Sequence, residues 1–134
     1  MPDLGSINKV ILLGYLGKDP ELQTNLNTDS KFTVLDVATK EYFGRVEGKG
    51  KKEPETTWHK CVAWGKTAEI VCRYGRAGTL VALEGRIKKK AWQTKEGDKR
   101  KSFEILVTNL TIVGGKMRDF DDEPQDEERD DEPY

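Results

Sequence analysis

The chain has 134 residues with 23 Lys and Arg against 24 Asp and Glu, a length that points to one modest domain. No run of about 18 apolar residues is present to cross a membrane as a helix, and the start Met1-Pro2-Asp3-Leu4 lacks the basic-then-apolar order of a secretory signal. The near-neutral balance hides a segregation: Met117 to Tyr134 carries ten acids and two arginines, net −8, leaving 21 bases against 14 acids, net +7, on residues 1–116.

In chain order, Ile7 to Leu13 is a strand candidate that Gly14 ends, and the stretch from Gly17 through Ser30 reads as a loop. From Phe32 the run Phe-Thr-Val-Leu-Asp-Val-Ala-Thr alternates, with Phe32, Val34 and Asp36 on one face and Thr33, Leu35 and Val37 on the other, continuing toward Phe43. Residues 44–56 hold three glycines, Pro54 and mixed charge, and are expected to form a mobile loop. Thr57 to Trp64 is the third strand. Lys66 to Tyr74 follows as a short helix, with Ala68, Val71 and Cys72 on one face and Gly75 or Gly78 as its stop. Two long runs, Thr79 to Gln93 and Arg100 to Val113, flank a turn containing Gly97 and are expected to pair as an antiparallel ribbon.

Three strands, one helix and two strands leave no further helix for the crossovers of a parallel sheet. The fold class is therefore all-β: a five-stranded OB-fold barrel with one short helix between the third and fourth strands, a layout whose sheet face commonly binds oligonucleotides or oligosaccharides. The domain is placed at residues 1–115. Residues 116–134 form an acidic tail without apolar periodicity, expected to be disordered.

Side chains alternate faces along a strand. Trp58, Lys60, Val62 and Trp64 therefore share one side of the third strand, opposite His59, Cys61 and Ala63. In the fourth strand Arg86, Lys88, Lys90 and Trp92 travel together, while Val81, Leu83, Gly85, Ile87 and Ala91 share the other side with Lys89. Aromatic rings interleaved with cations suit a single-stranded nucleic acid, whose unpaired bases stack on rings and whose phosphates attract Lys and Arg, with no need for a particular base sequence. The competing account makes the three tryptophans core and the lysines guards of an exposed strand edge. RNA stays open beside DNA, since stacking does not sense a 2′-hydroxyl.

Catalysis finds no footing: no paired acid and base, nucleophile constellation, phosphate-cradling glycine loop or metal cluster stands out, so neither cofactor nor metal is expected. Cys61 and Cys72 are too few for a disulfide framework and read as small buried hydrophobes, in keeping with a cytoplasmic protein.

Several motifs in register resemble the bacterial single-stranded DNA-binding protein family. They are Ile7-Asn8-Lys9-Val10-Ile11-Leu12-Leu13-Gly14-Tyr15-Leu16-Gly17-Lys18-Asp19-Pro20-Glu21, then Val37-Ala38-Thr39, Thr57 through Lys66, Ala68-Glu69, and Glu84-Gly85-Arg86-Ile87 leading to Trp92. The resemblance covers residues 7–115. It implies that the family's base-stacking aromatics correspond to Phe43, with neighbouring Tyr42 as the other candidate, and to Trp58, Trp64 and Trp92. Phosphate contacts fall to Lys9, Lys60, Lys66, Arg86, Lys88 and Lys90. It also implies a homotetramer of OB-folds with the sole histidine, His59, near subunit contacts, and a nucleoid-associated role in DNA replication, recombination and repair. Asp130, Asp131, Glu132, Pro133 and Tyr134 resemble the family's partner-docking tip, with Glu132 standing where an aliphatic residue is usual and Tyr134 where Phe is usual. The alternative function is an OB-fold accessory or adaptor protein of the replication-restart type, whose main ligand is another protein.

Overall fold

Alternation between apolar and solvated side chains builds the strands, and the computed structural model describes them over residues 5–42 and 54–118. Phe43, most of the glycine-rich stretch and the acidic segment from Asp119 to Tyr134 lie outside the described residues. The elements are β1 (Val10–Leu16), β2 (Gln23–Asn25), β3 (Ser30–Glu41), β4 (Glu55–Trp64), α1 (Gly65–Tyr74), β5 (Thr79–Gln93) and β6 (Lys99–Gly115).

The strands run in the order β1-β5-β6-β4-β3-β2, and β1 also pairs with β3, so β1, β3, β4, β6 and β5 close into a barrel. Two short seams make the closure. Antiparallel pairing joins Tyr15 to Ala38 and Leu16 to Val37, and a parallel contact joins Cys61 to Ile105 and Val62 to Leu106. With α1 between the third and fourth barrel strands, this is the five-stranded architecture expected of the sequence.

Several boundaries differ from that expectation: the first strand begins at Val10 rather than Ile7, and Glu55 and Thr56, expected in the loop, already belong to β4. Gly14 does not end the first strand: β1 runs through it to Leu16, because a Cβ there would collide with the Ala38 carbonyl, and only a bare backbone lets β1 approach β3 so closely. The stretch read as one loop from Gly17 to Ser30 contains β2, a three-residue strand of Gln23, Thr24 and Asn25 paired with Phe32, Lys31 and Ser30. Its polar residues carry no alternation that would mark it.

Inward side chains fill the barrel. Leu16, Leu35, Val37, Cys61, Ala63, Val81, Leu83, Ile105 and Val107 pack together, and α1 adds Ala68 and Val71. Gly65, at φ 63, turns the chain from β4 into α1. The helix ends where the Gly75 N–H donates to the Val71 carbonyl at 2.8 Å. Beyond β6 the chain folds back over the end of α1: the Thr79 hydroxyl donates to the Lys116 carbonyl, and the Arg118 guanidinium donates to the Cys72 carbonyl at 3.3 Å. No helix among the described residues is long and apolar enough to cross a membrane.

Candidate nucleic-acid interface

Strand alternation decides which side chains leave the barrel, and register decides which of them meet. On β4 the outward row is Trp58, Lys60, Val62 and Trp64, with Val62 covered by its neighbours. On β5 the outward row reaches Arg86, Lys88, Lys90 and Trp92, all exposed. Between them runs β6, where Leu106, Glu104, Ser102 and Arg100 stand opposite Arg86, Lys88, Lys90 and Trp92 in turn.

Trp58 is 59% exposed, Trp92 50% and Trp64 39%. Those values overturn a core role for the three rings. Large aromatic area left in water, flanked by cations, is available to stack on a ligand.

Each β4 ring has its own support. Trp64 stands opposite Phe32 in register, with ring centroids 4.9 Å apart and planes at 33°. Trp58 lies against Gly17, where an added Cβ would collide with the outer edge of the indole. Gly17 is in turn tied to the sheet through its N–H, which donates to the Asp36 carbonyl at 2.8 Å. Gly17→Ala is therefore expected to push the Trp58 ring off its seat without deleting any aromatic. Oligonucleotide affinity should fall about three- to tenfold, toward the lower end of what losing one stacked base costs; a titration in which this variant matches the parent would show that the seat does not matter.

The cations fall into three groups. Lys60 and Lys90 both turn toward Glu104 on β6, each with its ammonium 4.0 Å from the same carboxylate oxygen. Arg86, Lys88 and, at the start of α1, Lys66 are exposed. Lys9 stands apart: it pairs with Glu84 at 3.9 Å on the β1 side of the barrel, beside exposed Ile11 and Leu13. The structure thus brings Trp58, Lys60, Trp64, Arg86, Lys88, Lys90 and Trp92 onto the outward rows of β4 and β5, on either side of β6, and leaves Lys66, on α1, and Lys9 off them. Phe43 and the residues Asp130 to Tyr134 lie outside the described residues.

His59 is half-buried, its Nε2 2.9 Å from the Thr39 hydroxyl. It lines a groove of about 520 Å³ together with Trp58, Lys60, Ile87, Phe103, Glu104 and Ile105, in the notch where β4 and β6 diverge. Burial pushes the Cys61 thiol up to about 12, with Asp36 adding to the effect, and burial also raises Cys72. Both shifts favour the protonated thiol over the reactive thiolate. Among the described residues no three His, Cys, Asp or Glu side chains converge to hold a metal ion.

Sequence reasoning passed over four contributors. Phe32 and Gly17 support rings, and Glu104 sits among the lysines. Asn8 uses both ends of its amide on the Ile87 backbone, donating to its carbonyl at 2.9 Å and accepting from its N–H at 2.8 Å. That clamp fixes the point at which the β5–β6 ribbon leaves the barrel. Of the four, only Phe32 carried a usable signal, its parity on the outward face of β3.

Comparison with known proteins agrees with this fold. The model of the single-strand binding protein family matches residues 7–113. Single-stranded DNA-binding protein 1 of Chlorobaculum tepidum is 39% identical over 111 residues, which is 82% of this chain and 67% of that protein. The single-stranded DNA-binding protein of Neisseria meningitidis serogroup A is 35% identical over 122 residues, covering 91% of this chain and 68% of the relative. Among solved structures, the Plasmodium falciparum SSB complex with ssDNA superposes with a TM-score of 0.68 over 84% of this chain and 99% of that one, at 23% identity, a likeness of fold.

Proposed function

The chain belongs to the single-strand binding protein family, and from that premise we propose that it binds and protects single-stranded DNA without sequence preference during replication, recombination and repair. The exposure of Trp58, Trp64 and Trp92 on rows shared with bases carries the reading. Bases stack on these rings and on Phe43, while Lys60, Lys66, Arg86, Lys88 and Lys90 track phosphates, with Lys9 as an outlying contact. The role is non-catalytic, without cofactor, and cytoplasmic. Residues 1–115 act as the binding domain. Residues 116–134 act as an acidic arm whose end, Asp130, Asp131, Glu132, Pro133 and Tyr134, offers charge and a ring to replication, recombination and repair proteins.

The deciding experiment is titration of intrinsic Trp fluorescence with oligo(dT), with a duplex of equal length as control. Quenching by the single strand alone is the expected result. Absent quenching would return the chain to the adaptor reading, in which a protein is the main ligand.

Self-association as a homotetramer has support in two separate apolar surfaces. One is the outward stripe of Ile11, Leu13 and Tyr15 on β1. The other is the apolar side of the groove, where exposed Ile87 and Phe103 meet His59. Contiguous exposed apolar area marks association sites, and closed tetramers of dihedral symmetry use more than one kind of two-fold contact. His59→Ala is expected to lower the weight-average mass in dilute sedimentation; a mass unchanged down to nanomolar protein would remove His59 from the interface.

A further inference from the structure

A carboxylate is buried in the middle of the basic face. The Glu104 side chain is 9% exposed, and its Oε1 is sealed from solvent without a hydrogen-bond donor. Its compensation comes from Lys60 and Lys90, each 4.0 Å away, with Lys88 opposite it in register. At that distance the contacts are ion pairs without hydrogen bonds, since a charge-assisted N–H···O bond spans about 2.7–2.9 Å. Burying a charge on such terms contributes little to stability, and an apolar side chain of similar volume commonly does as well. The placement makes more sense for binding than for folding.

Both lysine side chains remain about half exposed and stand in the rows assigned to the nucleic acid. An ammonium that turns outward to a phosphate leaves Glu104, and an ammonium that stays on Glu104 is partly neutralised toward the strand. We propose that Glu104 is an internal competitor of the DNA backbone: it occupies Lys60 and Lys90 in the free protein, must be abandoned when phosphates arrive, and recaptures the lysines when they leave. It is a positioning residue that limits affinity and quickens release. This inference rests on the reading that single-stranded DNA crosses this face.

Glu104→Gln keeps the shape of the side chain and removes its charge. Oligo(dT) affinity is expected to rise about three- to tenfold at low salt, through slower dissociation, and the gain should fade as salt screens the lysines. Two comparisons separate competition from a general change in net charge. The gain should largely disappear when Glu104→Gln is introduced into a Lys60→Ala/Lys90→Ala background, as expected for coupled neighbours. Glu84→Gln, which removes an equal charge beside Lys9, should give a smaller gain. A parent protein that fails to bind oligo(dT) would overturn the functional reading and this inference with it. A parent that binds while Glu104→Gln binds equally or more weakly, or a gain that survives without the two lysines, would overturn the competitor role alone.

Discussion

Alanine at both Trp58 and Trp92 is expected to weaken oligo(dT) binding by about 2–6 kcal/mol, at least thirtyfold, because each stacked base is worth about 1–3 kcal/mol. The two losses should add. Trp58 stands on β4 and Trp92 on β5, with β6 between them, and sites without a shared partner usually add. Folding should be nearly untouched, since both rings are at least half exposed and neither belongs to the packed interior. A thermal midpoint within a few degrees of the parent, measured beside the binding isotherm, assigns the loss to the interface. Wild-type affinity in the double variant would mean that the rings face water for another reason.

Ionic strength provides the second large effect. Lys60, Lys66, Arg86, Lys88 and Lys90 lie on or beside the aromatic rows, and each phosphate contact on a single strand contributes about −0.7 to the slope of log affinity against log salt. Five contacts give a slope of about −3.5, so raising salt from about 50 to about 200 mM should weaken binding roughly a hundredfold. Lys9 enters the slope only if it leaves Glu84. A shallow slope of about −1 would show that stacking acts nearly alone and that the lysines are solvated bystanders.

What could be read from the chain divides along local and non-local physics. The parity of β4 and β5 placed Trp58, Trp64 and Trp92 with bases, because alternation depends only on backbone pleat, and the helix between Trp64 and Thr79 followed from three apolar positions. Register between strands distant in sequence left no such trace. Nothing local says that Lys60 and Lys90 converge on Glu104, since that meeting depends on how β4, β5 and β6 align around the barrel. Phe32 was on the correct face, yet its contact with Trp64 depends on β3–β4 pairing across 32 residues. Gly14 misled for a related reason: within a strand, glycine signals either a stop or a close approach, and only the position of Ala38 distinguishes the two.

The ribbon has a consequence for the energetics of opening. β1 accompanies β5 only as far as Gly85, with the Asn8 clamp at Ile87, and β4 meets β6 only at Ile105 and Leu106. Beyond those points the backbones of Lys88 to Gln93 and Lys99 to Glu104 pair only with each other, and a two-stranded arm is marginally stable in water. Their amide protons should therefore trade for deuterium through small local excursions, while those of Val81 and Leu83 wait for the whole barrel to unfold. Slowed exchange in the arm, with the barrel unchanged, would be the earliest sign that a strand had settled across Trp92.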